Sequence, residues 1–282
     1  VAIIKSETTG ENRHYWRETQ PDVRHPSVTK IVDMLPKAFL PRWNANMAAD
    51  LALDSIDYLQ RMADRDRAGA KRYIAGAAKR YTKQRSDIGT AAHKLFERMA
   101  RGLPVGRVHP DMVPYQRGFA EFLSAVRPEL VRAEDVAWSD SLRYAGSFDG
   151  WLGLRVSAGP DDTWVLDYEG GRNVHVIADW KTSKSVWPSV AIQMSAYANA
   201  DLIISADGTE EPMPEFDGAV VLHITPDGWT LYPVYADELR AAFEVFKHLR
   251  NVYDWETAGA KRALGKPLAR SGEFITGTER RG

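Results

Sequence analysis

Along the first half of the chain, apolar residues recur every three to four positions, the period of a helix with one buried face. This spacing predicts helices over residues 28–35, 45–62, 68–79 and 114–126, with Pro36 and Pro41 interrupting between the first two. A further helix opens at Gly89 and ends near Gly102-Leu103-Pro104. From residue 131 the pattern changes. Residues 131–138, 144–154, 164–168 and 174–181 are rich in β-branched and aromatic side chains and read as strands. Helical spacing returns over 189–202. Residues 219–225 and 229–235, joined by Pro226-Asp227-Gly228, read as a hairpin, and 236–257 as a long amphipathic helix. Residues 1–25 follow neither period and read as an irregular arm.

The fold class expected from these elements is α/β, a mixed sheet flanked by helices with a helical N-terminal elaboration. One domain is expected over 26–260, helical over 26–130 and sheet-forming over 131–260, followed by a basic tail over 261–282. An apolar fraction of 44% in 282 residues supports a buried core of that size. There is no apolar run of membrane length, and residues 1–20 are too polar for a secretory signal. With no cysteine, the chain has no disulfides, no thiolate chemistry and no cysteine-held iron-sulfur cluster. It also lacks the glycine-rich phosphate loop of a nucleotide-driven motor.

Net charge is −1, but its distribution is uneven. Lys71, Arg72, Lys79, Arg80, Lys83 and Arg85 come with no acid among them, whereas residues 185–239 contain no lysine or arginine. Asp201, Asp207, Glu210, Glu211, Glu215 and Asp217 cluster in that second span. This is either a polyanion-binding face opposite an acidic one, or a solvated helix followed by an acidic loop.

The chemistry concentrates in His175-Val-Ile-Ala-Asp-Trp-Lys-Thr-Ser-Lys184. On a strand, Asp179 and Lys181 share one face, roughly 6 to 7 Å apart. A carboxylate suited to a hard divalent cation then stands beside an ammonium suited to a phosphate. Upstream, the run from Tyr144 to Gly150 ends in a second carboxylate, Asp149. Gly89-Thr-Ala-Ala-His93 brings a lone histidine onto a helix, while Gln193 and Tyr197, four apart, project from one helix face. Thr182 and Lys184 follow the strand, either as phosphate donors or as a polar turn.

Taken in order, Gly-x-x-x-His (Gly89, His93), Gly-x-x-Asp (Gly146, Asp149), Asp-x-Lys (Asp179, Lys181) and Gln-x-x-x-Tyr (Gln193, Tyr197) resemble the motif series of RecB-like nucleases in the PD-(D/E)XK superfamily. The resemblance covers about residues 27–200. With Pro26-Ser-Val-Thr29 and Leu40-Pro-Arg-Trp43, it looks most like the stand-alone CRISPR-associated-exonuclease-like proteins of phages. The chain departs from many such proteins in having no iron-sulfur cysteines. It also departs in the long link from Asp149 to Asp179, where two turns and an extra strand are expected.

The resemblance implies a DNA nuclease dependent on Mg²⁺ or Mn²⁺, with exonuclease action on single-stranded or duplex ends. It implies metal ligation by His93, Asp149, Asp179 and the Trp180 carbonyl, and catalysis by Asp149, Asp179, Lys181, Gln193 and Tyr197. DNA contacts are expected from Lys79, Arg80, Lys83, Arg85, Thr182 and Lys184. A recombinase or helicase partner and a bacterial cytoplasmic setting follow from the same resemblance. The competing class is a nuclease-fold DNA-binding or recruitment protein with little turnover.

Overall fold

The computed structural model describes residues 3–9 and 12–269, and it begins with a hairpin where an irregular arm was expected. Ile4–Thr9 (β1) pairs antiparallel with Asn12–Arg17 (β2), and His25–Pro26 (β3) adds a third strand. Tyr15 is the one fully buried residue of β2, set among Trp138, Ala145 and Ile204. A strand that buries one side chain shows no apolar alternation, so the sequence pattern misses it.

Val28–Val32 (α1) is capped by Ser27, whose Oγ accepts from the Lys30 amide at 3.2 Å. Leu40–Asp54 (α2) and Ile56–Arg65 (α3) divide at Ser55 what the periodicity joined as 45–62. Pro41 lies in the first turn of α2, where its missing N–H costs nothing, instead of interrupting the helix. The Asp66 carboxylate caps Arg67–Ala75 (α4) by accepting from the Gly69 amide at 2.8 Å. Ala77–Ala100 (α5) is a single 24-residue helix, so Gly89 lies in its interior and not at its start. Val113–Val126 (α6) follows.

The run expected as one strand over 131–138 is two, Glu129–Arg132 (β4) and Val136–Ser139 (β5), in different sheets. They part at Glu134, whose φ of 58° turns the backbone out of extended geometry. The run 144–154 likewise breaks into Tyr144–Ser147 (β6) and Gly150–Ala158 (β7) around Asp149. Trp164–Leu166 (β8) is the extra strand expected in the long link, and Arg172–Lys181 (β9) carries Asp179 and Lys181 at its end. Val190–Ala198 (α7) stops before residue 202, because Leu202–Ile204 (β10) pairs with β5 and with Glu210–Pro212 (β11). Gly218–Thr225 (β12) and Gly228–Tyr235 (β13) form the expected hairpin. Ala236–Asp254 (α8) passes through a π-helical turn, Trp255–Gly259, into Ala260–Ala263 (α9). Most of the expected basic tail, from residue 270 on, lies outside the described residues.

The result is a mixed α/β architecture. The larger sheet runs β13-β12-β9-β7-β4, with β8 added beside β7; β9 is parallel to β12 and antiparallel to β7. Successive residues of β9 face opposite ways and feed two cores. Val174, Val176, Ala178 and Trp180 pack under α5 and α6 with Phe96, Phe119 and Phe122. Ile177 packs with Met194 and Tyr197 of α7 and Phe246 of α8 on the other side. Asp179 and Lys181 therefore emerge on the α7 face. No helix among the described residues is long and apolar enough to cross a membrane.

Candidate active site

A carboxylate on the inner face of a covered sheet is expensive unless something pairs with it. Asp179 is 3% exposed. Its Oδ1 accepts from Gln193 Nε2 at 3.1 Å. Lys181 Nζ stands 2.7 Å from Oδ2, close enough for an ion pair but off the hydrogen-bonding direction, so Oδ2 is buried with no aligned donor. Burial outweighs the pull of Lys181 and holds the Asp179 carboxyl above its usual range. Burial lowers Lys181, but Asp179 and Asp149 outweigh it and hold the ammonium above its usual range. At 2.7 Å the two side chains make an ion pair.

Gln193 and Tyr197 meet on one face of α7, as their spacing requires. Gln193 Nε2 also donates to the Tyr197 hydroxyl at 3.1 Å, and its Oε1 faces Lys181 at 3.4 Å. One amide thus fixes the positions of Asp179, Lys181 and Tyr197 relative to one another. Burial, then Asp179, raises the Tyr197 phenol well above its normal value, so it stays protonated.

Asp149 lies in the break between β6 and β7, held by two contacts. Its Oδ2 accepts from the Trp180 amide at 2.6 Å and its Oδ1 meets His93 Nδ1 at 3.0 Å. His93 reaches it from the middle of α5. Burial lowers the imidazole, but Asp149 and Asp179 raise it further, leaving it above its usual value. The Trp180 side chain turns to the opposite face, edge-on to Phe119 and Phe122.

The glycine of the Gly-x-x-Asp motif has a steric reason. A Cβ on Gly146 would lie 2.7 Å from the Tyr197 ring and 3.2 Å from Val28, so only glycine lets β6 lie against α7 and α1. A Cβ on Gly89 would meet only Thr182 Oγ1, at 3.5 Å.

The six predicted side chains, His93, Asp149, Asp179, Lys181, Gln193 and Tyr197, line one cavity of about 230 Å³. Two further residues of the wall, Arg13 and Tyr15, come from the N-terminal hairpin and carry no motif. Glu134 was missed too. Its carboxylate, the His93 ring and Asp149 bring ligand atoms within 4.8 Å of one another, and Asp179 is not part of that trio. Burial first, then Asp149 and Glu97, push Glu134 up to about 7. Its one sequence signal was an acid pair, Glu134-Asp135, interrupting an apolar run.

The residues expected to contact DNA divide. Lys79 lines a large cavity beside α2, and Lys184 is exposed. Arg80 donates to the Tyr73 carbonyl at 2.8 Å and stacks on that ring, while Lys83 pairs with Asp87 at 3.0 Å. Arg85 donates to the Thr182 carbonyl at 2.9 Å, tying α5 to the turn after β9, and Thr182 itself is buried. Glu97, one turn along α5 from His93, pairs with Arg101 at 3.0 Å.

The donor set fits a hard divalent cation. Oxygen and imidazole ligands converge, and the buried Asp179 Oδ2 lacks an aligned donor. No family model and no curated protein matches the chain.

Proposed function

We propose that the protein is a divalent-metal-dependent DNA nuclease of the PD-(D/E)XK type, acting from DNA ends. The observation that carries this reading is convergence. Motifs separated by as many as about a hundred residues in sequence contribute His93, Asp149, Asp179, Lys181, Gln193 and Tyr197 to a single small cavity. A strand ending in Asp-x-Lys at the centre of a mixed sheet, with one helix supplying a histidine and another a glutamine and tyrosine, supports the superfamily assignment.

His93, Asp149, Asp179 and the Trp180 carbonyl would hold Mg²⁺ or Mn²⁺, with Glu134 within reach of the first two. When bound, the cation supplies Lewis acidity toward a phosphodiester and acidifies water. The chain's own groups do the rest. The Lys181 ammonium, kept charged by Asp179, neutralises charge that grows on the phosphate during displacement. Gln193 holds that ammonium and the Asp179 carboxylate in register, so little reorganisation is needed as the charge develops. Tyr197 stays a phenol that can donate to a phosphate oxygen, and Arg13 adds a second cation at the cavity wall.

The test has two parts. Calorimetric titration with Mn²⁺ should give binding to the wild type and loss of it in Asp149→Asn. End-labelled linear DNA should be degraded while closed circular DNA survives. Degradation of circles would replace the end-acting part of the reading with an endonuclease, and absence of Mn²⁺ binding even with DNA present would overturn the enzyme reading altogether.

A further inference from the structure

Beside the catalytic cavity, and sharing Lys181 and Gln193 with it, opens a second and larger one of about 1190 Å³ between α2, α5 and the segment after β9. It exceeds the roughly 300 to 1,000 Å³ typical of small-ligand pockets, which leaves room for a length of polymer. Its walls combine exposed aromatic rings with lysines. Phe39 and Trp187, 47% and 57% exposed, stack on each other with ring centroids 5.1 Å apart and planes 5° from parallel. Four lysines line the cavity; Lys37 pairs with Asp33, Lys83 with Asp87 and Lys181 with Asp179, while Lys79 has no acid partner among the described residues. Trp43 forms part of the wall, edge-on to Tyr81.

Core packing does not account for this pair. Phe39 precedes α2 and Trp187 lies in the connection to α7, two segments far apart in sequence whose rings meet at the surface instead of below it. Exposed flat rings flanked by ammonium groups are what a strand of nucleic acid requires, since bases stack on the rings while lysines follow the phosphates. A duplex does not offer this, because its base faces are covered by their neighbours along the helix.

We propose that this cavity is a binding groove for a single DNA strand, in which Phe39 and Trp187 form a base-stacking platform that delivers the backbone to Lys181 and Gln193. The proposal rests on the nuclease reading for its substrate and narrows that substrate to unpaired strands. An incoming base sits on the outer face of the aromatic pair. Lys79 contacts a phosphate on the α5 side, and the next phosphate along the strand enters the catalytic cavity.

Binding is measured in chelator, with no turnover, by the anisotropy of a labelled oligo(dT), an abasic strand of equal length and a blunt duplex. A failure of the groove is thereby separated from a failure of the nuclease reading, which is read from cleavage. Trp187→Ala and Phe39→Ala should each weaken oligo(dT) binding about tenfold, in line with one lost base stack. Trp187→Phe should retain most of the affinity, and binding of the abasic strand and the duplex should change little in any variant. Oligo(dT) binding undiminished in both alanine variants would overturn the proposal. So would a Trp187→Ala loss of equal size on the abasic strand, which would mark the ring as structural.

Discussion

The energetics of the site centre on two charges that exist because of each other. Lys181 is a proposed catalytic cation and also the counter-ion of a carboxylate inside a covered sheet. Breaking such a pair by removing one partner typically costs about 3 to 5 kcal/mol. Asp179→Ala is therefore expected to lower stability as well as abolish activity. Asp179→Asn, which keeps the Gln193 contact, should fold with a smaller loss, and urea unfolding of the two variants checks the ordering.

His25 offers a residue-scale test away from the site. It is buried edge-on to Trp138, and burial, reinforced by Arg17 and opposed by Asp140, lowers it to about 4. The unfolded chain, with an ordinary value near 6.5, binds more protons between those limits. Stability should therefore be level above about pH 6.5 and fall by up to about 3 kcal/mol as pH drops toward 4. His25→Gln should be less stable at neutral pH, and its gap from the wild type should close at acid pH. A gap that stays constant would mean His25 does not carry this dependence. At the residue scale the sequence made the pairs within one element legible, because two-residue and four-residue spacings fix a shared face. It did not reveal Glu134, Arg13 or Tyr15, which reach the site through contacts between distant segments.

At the scale of elements, the order and kind of most helices and strands were legible in the apolar pattern, but not where they break. The breaks fall where the site is built. Residues 131–138 and 144–154 read as continuous because their apolar content is continuous, yet the chain turns at Glu134 and again at Asp149, aiming both carboxylates at His93. Element packing is tight at Gly146. Gly146→Ala forces a methyl into the Tyr197 ring and Val28, and is expected to cost about 1 to 3 kcal/mol while displacing α7 from β6. Cleavage should fall along with thermal stability. Gly89→Ala, which meets only the Thr182 hydroxyl at ordinary distance, should fold as the wild type does.

For the whole molecule, charge patterning along the chain was a poor guide to charge in space. Three of the clustered acids are tied down by arginines from elsewhere. Glu210 pairs with Arg17 and Asp217 with Arg172, at 3.0 and 2.8 Å, and Glu211 with Arg132. The acidic span, read as either a face or a loop, is thus partly neutralised by long-range pairs that a linear reading cannot see. Arg17 links the N-terminal hairpin to the body through Glu210, Asp140 and the Trp138 ring. Because both carboxylates are partly open to water, Arg17→Ala should cost only about 1 kcal/mol in urea unfolding. It should also weaken DNA binding, since Arg13 and Tyr15 reach the cavity on the same strand. Unchanged binding in that variant would detach the hairpin from the site.

The central claim, that these side chains cut DNA, is tested most directly by following end-labelled linear single-stranded DNA with Mn²⁺ or with chelator, using wild type and Lys181→Ala. Degradation by the wild type in Mn²⁺, none in chelator, and a loss of at least about a hundredfold in Lys181→Ala is the expected result. Equal degradation by wild type and a folded, Mn²⁺-binding Lys181→Ala would contradict the account.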